Sequence, residues 1–305
     1  MEETTTVAFP NWLDLPRDVT AKILQNAGPE EVFKTAQLVC PQWHNISMDP
    51  LMWRTLHMPS RDTSSAVKDK LAKICFRAVD RSCGHLEDIS IETFGTDSLL
   101  NHIANSGNTV KRLRLAYCTD ITSQEMIKAA KKFPQLEELE ISYSYVSSKD
   151  SIQAIGQSCP NLKVLKIIME RRKIKDESEC NDEAFAIAKT MPNLRHLILL
   201  GNHMSTAGLV AILDGCRHLE SLDVRGCFGV QYLGGTRLGK RCTEQIKEFQ
   251  GSDEYLDRSW YLTEETSDDK GDDPYSDMYC DCVLTESSED EEAFAYRFAI
   301  EYGLI

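Results

Sequence analysis

Six times between residue 85 and about residue 240 the chain repeats one arrangement of apolar positions: an apolar residue, two variable ones, a second apolar residue, one variable one and a third. It reads Leu86-x-x-Ile89-x-Ile91, Val110-x-x-Leu113-x-Leu115, Leu136-x-x-Leu139-x-Ile141, Leu162-x-x-Leu165-x-Ile167, Leu194-x-x-Leu197-x-Leu199 and Leu219-x-x-Leu222-x-Val224. Successive units start 24, 26, 26, 32 and 25 residues apart. A period of this size marks a solenoid, whose units bury their apolar faces only against their neighbours. The alternation within each unit predicts a short strand with its apolar residues inward. Helically spaced stretches follow at 121–133, 151–158, 182–190 and 205–215, the first opened by the capping pattern Thr122-x-x-Glu125. One strand and one helix per unit predict an α/β solenoid.

The N-terminal block has a different rhythm. Asp14-Leu15-Pro16-Arg17-Asp18 is a helix-entry signal, since proline suits the first helical position and an acidic residue the first turn. Val19, Ile23 and Leu24 then form one apolar stripe. Gly28-Pro29 breaks that helix, and a second one carries Val32, Phe33, Ala36, Val39 and Cys40. Pro41 interrupts it before Trp43 and Ile46, and Asp49-Pro50-Leu51-Met52-Trp53 begins a last turn with an aromatic anchor. Three short helices are expected here. Residues 61–83, with helical spacing at Ala66, Lys70, Ile74 and Val79, are expected to pack between this block and the repeats.

The ordered set Leu15-Pro16, Ile23-Leu24, Val39-Cys40-x-x-Trp43 and Asp49-Pro50-Leu51-x-Trp53 resembles the F-box, and the repeats resemble the cysteine-containing type of leucine-rich repeat found in F-box proteins. The Trp12-Leu13-Asp14-Leu15-Pro16 entry and the short solenoid look most like the plant F-box/LRR subgroup. The expected organisation is therefore an F-box at 11–58, a helical linker at 59–84, about six leucine-rich repeats at 85–240, and an acidic tail at 241–305 ending in an amphipathic helix. The resemblance implies a non-catalytic substrate receptor of an SCF-type (Skp–cullin–F-box) ubiquitin ligase. It also implies that Leu15, Pro16, Ile23, Leu24, Val39, Cys40 and Trp43 contribute to the face that meets the Skp-type adaptor, and through it cullin. A repeat scaffold with no degradative role is the alternative.

In each predicted strand the residues between the apolar positions line the concave face. On the first three strands these are Asp88, Ser90, Glu92; Arg112, Arg114, Ala116; and Glu138, Glu140, Ser142, whose signs alternate so that they can pair across strands. The fourth and fifth strands differ. Val164, Ile168, Ile198 and Leu200 predict an apolar patch rimmed by Lys166 and His196, and patches of this kind mark interaction sites. An unknown protein target is one expected occupant; a loop or the tail of the same chain is the other.

Charge sharpens the division. Residues 251–305 hold 17 Asp/Glu against three Lys/Arg, the whole net charge of −14, and the remaining 250 residues balance. A neutral body argues against nucleic acid as the main partner. No apolar run is long enough to span a membrane and no basic-then-apolar leader opens the chain, so the expected location is nuclear or cytoplasmic. The eleven cysteines, Cys118, Cys159 and Cys216 among them, sit in periodic apolar segments and are expected as reduced core residues.

Catalytic sets are missing. There is no phosphate-binding glycine loop and no Gly-x-Ser-x-Gly elbow, and the histidines, such as His57, His102 and His218, have no recurrent partner. Cys280-Asp281-Cys282 lacks the further ligands that zinc requires, so neither metal nor cofactor is expected. The basic run Arg171-Arg172-Lys173-x-Lys175 and the acidic run after Ser287-Ser288 are expected to be solvated.

Overall fold

A computed structural model describes residues 15–60, 62–169, 181–227, 229–230 and 233–251. Trp12, Leu13 and Asp14 of the entry, the basic run at 171–175, residues 252–305 of the expected tail and its terminal helix lie outside the described residues.

The first helix, α1 (Arg17–Lys34), is two helical runs joined at Gly28, whose φ of 83° and ψ of 163° are not helical. Glycine reaches that backbone conformation without the steric cost of a Cβ, and Pro29 then restarts the helix at the one position where a missing N–H costs nothing. A 3-10 turn (Ala36–Leu38) leads into α2 (Pro41–Ser47), again with proline in the first turn. Cys40 caps α2, its sulfur accepting from the Trp43 N–H at 3.4 Å. A second 3-10 turn (Pro50–Trp53) is capped by Asp49, which accepts from the Leu51 N–H at 3.1 Å.

Strand β1 (Thr55–Met58) follows immediately, then α3 (Ser65–Arg81). From there strands and helices alternate: β2 (Asp88–Glu92), α4 (Asp97–Asn105), β3 (Arg112–Ala116), α5 (Ser123–Ala130), β4 (Glu138–Ser142), α6 (Lys149–Ser158), β5 (Val164–Ile168), α7 (Asp182–Thr190), β6 (His196–Leu200), α8 (Thr206–Gly215), β7 (Ser221–Asp223), α9 (Arg237–Gln245) and β8 (Glu248–Gln250). All strands are parallel and lie in chain order. The six predicted strands are in place with their alternation: Ile89, Ile91, Leu113, Leu115, Leu139, Ile141, Leu165, Ile167, Leu197, Leu199 and Leu222 are all buried.

The sheet extends beyond the repeat pattern at both ends. It begins at Thr55, inside the block expected to be purely helical, and β1 pairs with β2 through Leu56↔Ile89. It ends at Gln250, so residues 241–250, expected within the tail, continue α9 and form β8. The linker helix is also rotated from its expected stripe. Leu71, Ile74, Cys75, Ala78 and Val79 face the core, whereas Ala66 and Lys70 are exposed.

Five of the helix entries along the repeats, all but that of α7, are held by a side chain. Thr96, Thr122, Ser148, Ser205 and Thr236 each accept from a backbone N–H two or three residues on. Thr122 does most, since its hydroxyl accepts from Glu125 N–H at 3.2 Å and donates to Asp97 of the preceding unit at 2.9 Å. Thr122→Ala is expected to destabilise the chain by about 1 kcal/mol, as other lost N-caps do, measurable by urea denaturation. Thr122→Ser should recover most of it.

Among the described residues no two cysteines form a disulfide. Burial pushes the thiols of Cys75, Cys159, Cys216 and Cys227 up to about 12 and those of Cys118 and Cys242 up to about 11. Cys227 donates to the Leu199 carbonyl at 3.1 Å and Cys118 to that of Ala116 at 3.3 Å. These six thiols are expected to resist iodoacetamide in the native chain, while exposed Cys83 reacts. A thiol whose pKa is raised by folding stabilises the native state below about pH 9 and ceases to do so as pH climbs through its native value. Unfolding in alkali and full alkylation should therefore come together, as peptide mass mapping at rising pH can show.

Candidate functional site

Two surfaces stand out, at opposite parts of the chain. The first is the small helical block. Among the described residues seven large apolar side chains are exposed, and five belong to it: Val19, Leu38 (74%), Val39 (57%), Met48 and Leu51 (59%). The block does have a core, formed by Leu24, Val32, Phe33, Ala36, Ile46, Met52 and Trp53. Phe33 stacks on Trp53 with ring centroids 5.0 Å apart, and the guanidinium of Arg81 lies 4.5 Å from the Phe33 centroid. Trp53 Nε1 donates to the Ser47 carbonyl at 2.8 Å. A module this small cannot enclose all its apolar residues, and these five are the remainder.

The residues expected on this surface divide between inside and outside. Val39 is exposed, Pro16 is exposed, and Leu15, Ile23, Cys40 and Trp43 are half-buried. Leu24 is 1% exposed and belongs to the block's own core. Trp43 packs against that core, and its buried Nε1–H has no acceptor among the described residues. Leu38 and Met48 were not singled out by the sequence, and Leu51, part of the matched Asp49-Pro50-Leu51-x-Trp53 set, was not assigned to this face. Leu38 adjoins Val39 and Met48 precedes Asp49-Pro50, so the signal was an apolar residue next to each matched motif. A shallow cleft here is lined by Asp18, Ala21, Lys22, Gln25, Leu51 and Met52, and by the Arg17–Asp49 pair at 2.8 Å.

The second surface is the concave face of the sheet. Register places Asp88 beside Arg112, Glu138, Val164 and His196, and in the next row Ser90 beside Arg114, Glu140, Lys166 and Ile198. The expected cross-strand pairing is present. Arg112 donates to Asp88 at 2.8 Å, Arg114 to Glu140 at 2.7 Å, and Lys166 to Glu138 at 3.0 Å. The Asp88 carboxylate pushes the Arg112 pKa above its ordinary value. A second ionic ladder runs one residue before the strands, through Arg54–Glu87, Lys163–Glu137 and Lys247–Glu220.

The apolar patch is there but smaller than expected. Val164, Ile168 and Ile198 are half-buried on strands β5 and β6, beside exposed His196 and half-buried Lys166. Leu200, paired with Ile168, is only 8% exposed. Ala116 and Ser142, which occupy the same last strand position in other units, are buried as well. Directly after them the sequence missed Tyr117 and Tyr143. These stack at 4.6 Å with planes 6° apart and have φ of 53° and 51°, a conformation that strains a bulky side chain. Their 26-residue spacing after Leu-Ala and Ile-Ser was the available signal. No group of three or more potential metal ligands clusters among the described residues.

Comparison with known proteins bears on both parts of the chain. Residues 12–59 match the F-box-like family and residues 190–213 match the Leucine Rich repeat family. Among curated Arabidopsis thaliana proteins, F-box/LRR-repeat protein 23 is 45% identical over 79% of this chain, which spans 53% of that relative, about half its length. F-box protein SKIP19 is 44% identical, covering 78% of this chain and 76% of its own. F-box/LRR-repeat protein 22 is 36% identical, with 96% and 90% covered.

Proposed function

Because this chain belongs to the F-box/LRR-repeat family, we propose that it is the target-receptor subunit of an SCF-type ubiquitin ligase. The helical block docks on the Skp-type adaptor and the concave face holds a protein target. The observation that carries the reading is the set of exposed apolar side chains Val19, Leu38, Val39, Met48 and Leu51 on a block of about 45 residues. Helix-against-helix apolar packing is the mode such a surface supports, and Leu15, Pro16, Ile23, Cys40 and Trp43 border it.

The chain itself does no chemistry in this account. It raises the effective concentration of a target beside a ubiquitin-charged enzyme. The pairing of β1 with β2 favours this, because the block that meets the adaptor and the sheet that meets the target share one continuous structure. A nuclear or cytoplasmic location follows from the reading. Among the described residues no helix is long and apolar enough to cross a membrane.

Affinity purification of the full chain tests the proposal. Adaptor and cullin are expected to co-purify, and the captured target to receive ubiquitin when the charged enzyme is added. Capture of adaptor without cullin, or of a target that is never modified, would favour the non-degradative scaffold. On the concave face, Ile168→Asp with Ile198→Asp is expected to abolish target capture and leave adaptor binding intact. Leu200 is unsuited to that test, since a charge at a buried site would damage the fold. Loss of both partners, or of neither, would sink the assignment of the target to this patch.

A further inference from the structure

The concave face carries a charge pattern that bears on what it can hold. Its permanent cations among the described residues are Arg112, Arg114, Lys166 and Arg225, and each already has a carboxylate within 3.0 Å. Asp88, Glu138, Glu140 and Asp223 supply those carboxylates. Two more carboxylates, Glu92 at the end of β2 and Glu248 at the start of β8, face the same way with no cation paired to them among the described residues. The apolar patch lies between them, three strands from Glu92 and two from Glu248.

A phosphate group needs cations that are free to turn toward it, typically an arginine fork. On this face every such fork would have to be pulled from its carboxylate first, which costs the existing pair and leaves a carboxylate facing the phosphate. A lysine or arginine meets the opposite situation at Glu92 and Glu248.

We propose that the concave face takes an unphosphorylated target segment, apolar at its centre and basic at both ends. Its apolar side chains sit on Val164, Ile168 and Ile198, and its basic ones reach Glu92 and Glu248. Six strand spacings separate the two carboxylates, about 30 Å, a span that roughly nine extended residues cover. The inference rests on the concave face being the target surface, and it adds the chemical class of the target.

Three synthetic peptide libraries of roughly ten residues, with leucine or phenylalanine fixed at the centre and arginine, serine or phosphoserine fixed at both ends, test it against the immobilised full chain. The arginine-ended library is expected to be retained about tenfold over the serine-ended one, the size of a modest complementary charge effect, and the phosphoserine-ended one to be lost. Retention should fall as salt rises. Hydrogen exchange should show protection at 164–168 and 196–200.

Glu92→Lys with Glu248→Lys, the first at a half-buried and the second at an exposed position, is expected to reverse the order of the arginine and phosphoserine libraries in a variant whose melting curve matches that of the unaltered chain. An order unmoved by the double reversal would mean that basic peptides collect elsewhere, on the acidic tail for example, and would overturn the proposal. Phosphoserine preference by the unaltered chain, with protection still on β5 and β6, would overturn the target class and leave the target surface standing. Protection away from those strands would overturn the surface itself. Adaptor capture, measured on the same samples, reports independently on the receptor reading.

Discussion

Leu38→Asp combined with Leu51→Asp is expected to abolish capture of the Skp-type adaptor while shifting the melting temperature by no more than about 2 °C. Both side chains are more than half exposed, and neither belongs to the block's core. Surface substitutions of this kind usually change stability by within about 0.5 kcal/mol, and a chain of this size moves roughly 2–4 °C per kcal/mol. Binding is another matter. A central apolar anchor of an interface contributes about 2 kcal/mol or more, and a carboxylate in its place must be desolvated against an apolar partner. Two such sites together predict a loss of at least about a thousandfold. Leu24→Ala serves as the contrast, since its side chain is buried in the block: a cost of about 2–5 kcal/mol in stability, with weaker binding only as far as the block unfolds. If the double Asp variant binds the adaptor normally, the exposed apolar set is not the docking surface.

The largest effect on stability is expected from Trp53→Ala. Trp53 is 2% exposed, stacks on Phe33, lies 5.6 Å beneath the Arg81 guanidinium, and donates its indole N–H to the Ser47 carbonyl. Removing a buried tryptophan costs about 3–5 kcal/mol. Here the Ser47 carbonyl keeps a bond from Arg81 at 3.3 Å, so that acceptor is not wholly orphaned. Because β1 begins two residues later, the disturbance should reach the first strand of the sheet. Thermal melting is expected to fall by roughly 10 °C, with faster hydrogen exchange in both α1 and β1. Trp53→Phe keeps the stacking and loses the hydrogen bond, and should cost about 1–2 kcal/mol. A fall of under about 1 kcal/mol for the alanine variant would show that the block does not depend on this anchor.

What the sequence disclosed and what it concealed follow from one cause. Six strands were legible because each carries two inward apolar residues in strict alternation, and a period-two pattern has only one phase that buries them. Strand β1 has the same pattern, Trp53-x-x-Leu56-x-Met58, but its leading position is the aromatic anchor of the helical block, and the strand merged with that block. At the other end α9 is almost wholly polar, with only Leu238 and Cys242 buried, and the strand pattern is cut to Ile246-x-x-Phe249, so residues 237–250 did not stand out as a further unit.

The candidate surfaces show the same limit. Ile23 and Leu24 are adjacent apolar residues of one helix, and which of them turns inward depends on where Trp53 and Phe33 pack. That relation is tertiary and leaves no local trace. Likewise Ala116, Ser142 and Leu200 hold an outward position by alternation, yet are buried because the chain turns back immediately after them, through positive φ at Tyr117, Tyr143 and Gly201. The charge pairing on the first three strands was legible since opposite signs recur one repeat apart. The surplus of carboxylate over free cation became visible only with the register.

A hydrogen-exchange footprint of the purified adaptor on the full chain tests the two-ended receptor most directly. Protection is predicted at residues 38–39 and 48–51, the exposed apolar edge of the helical block, with strands β4 to β6 exchanging as in the free protein. Protection confined to the concave face, or none at adaptor concentrations that saturate other F-box proteins, would contradict it.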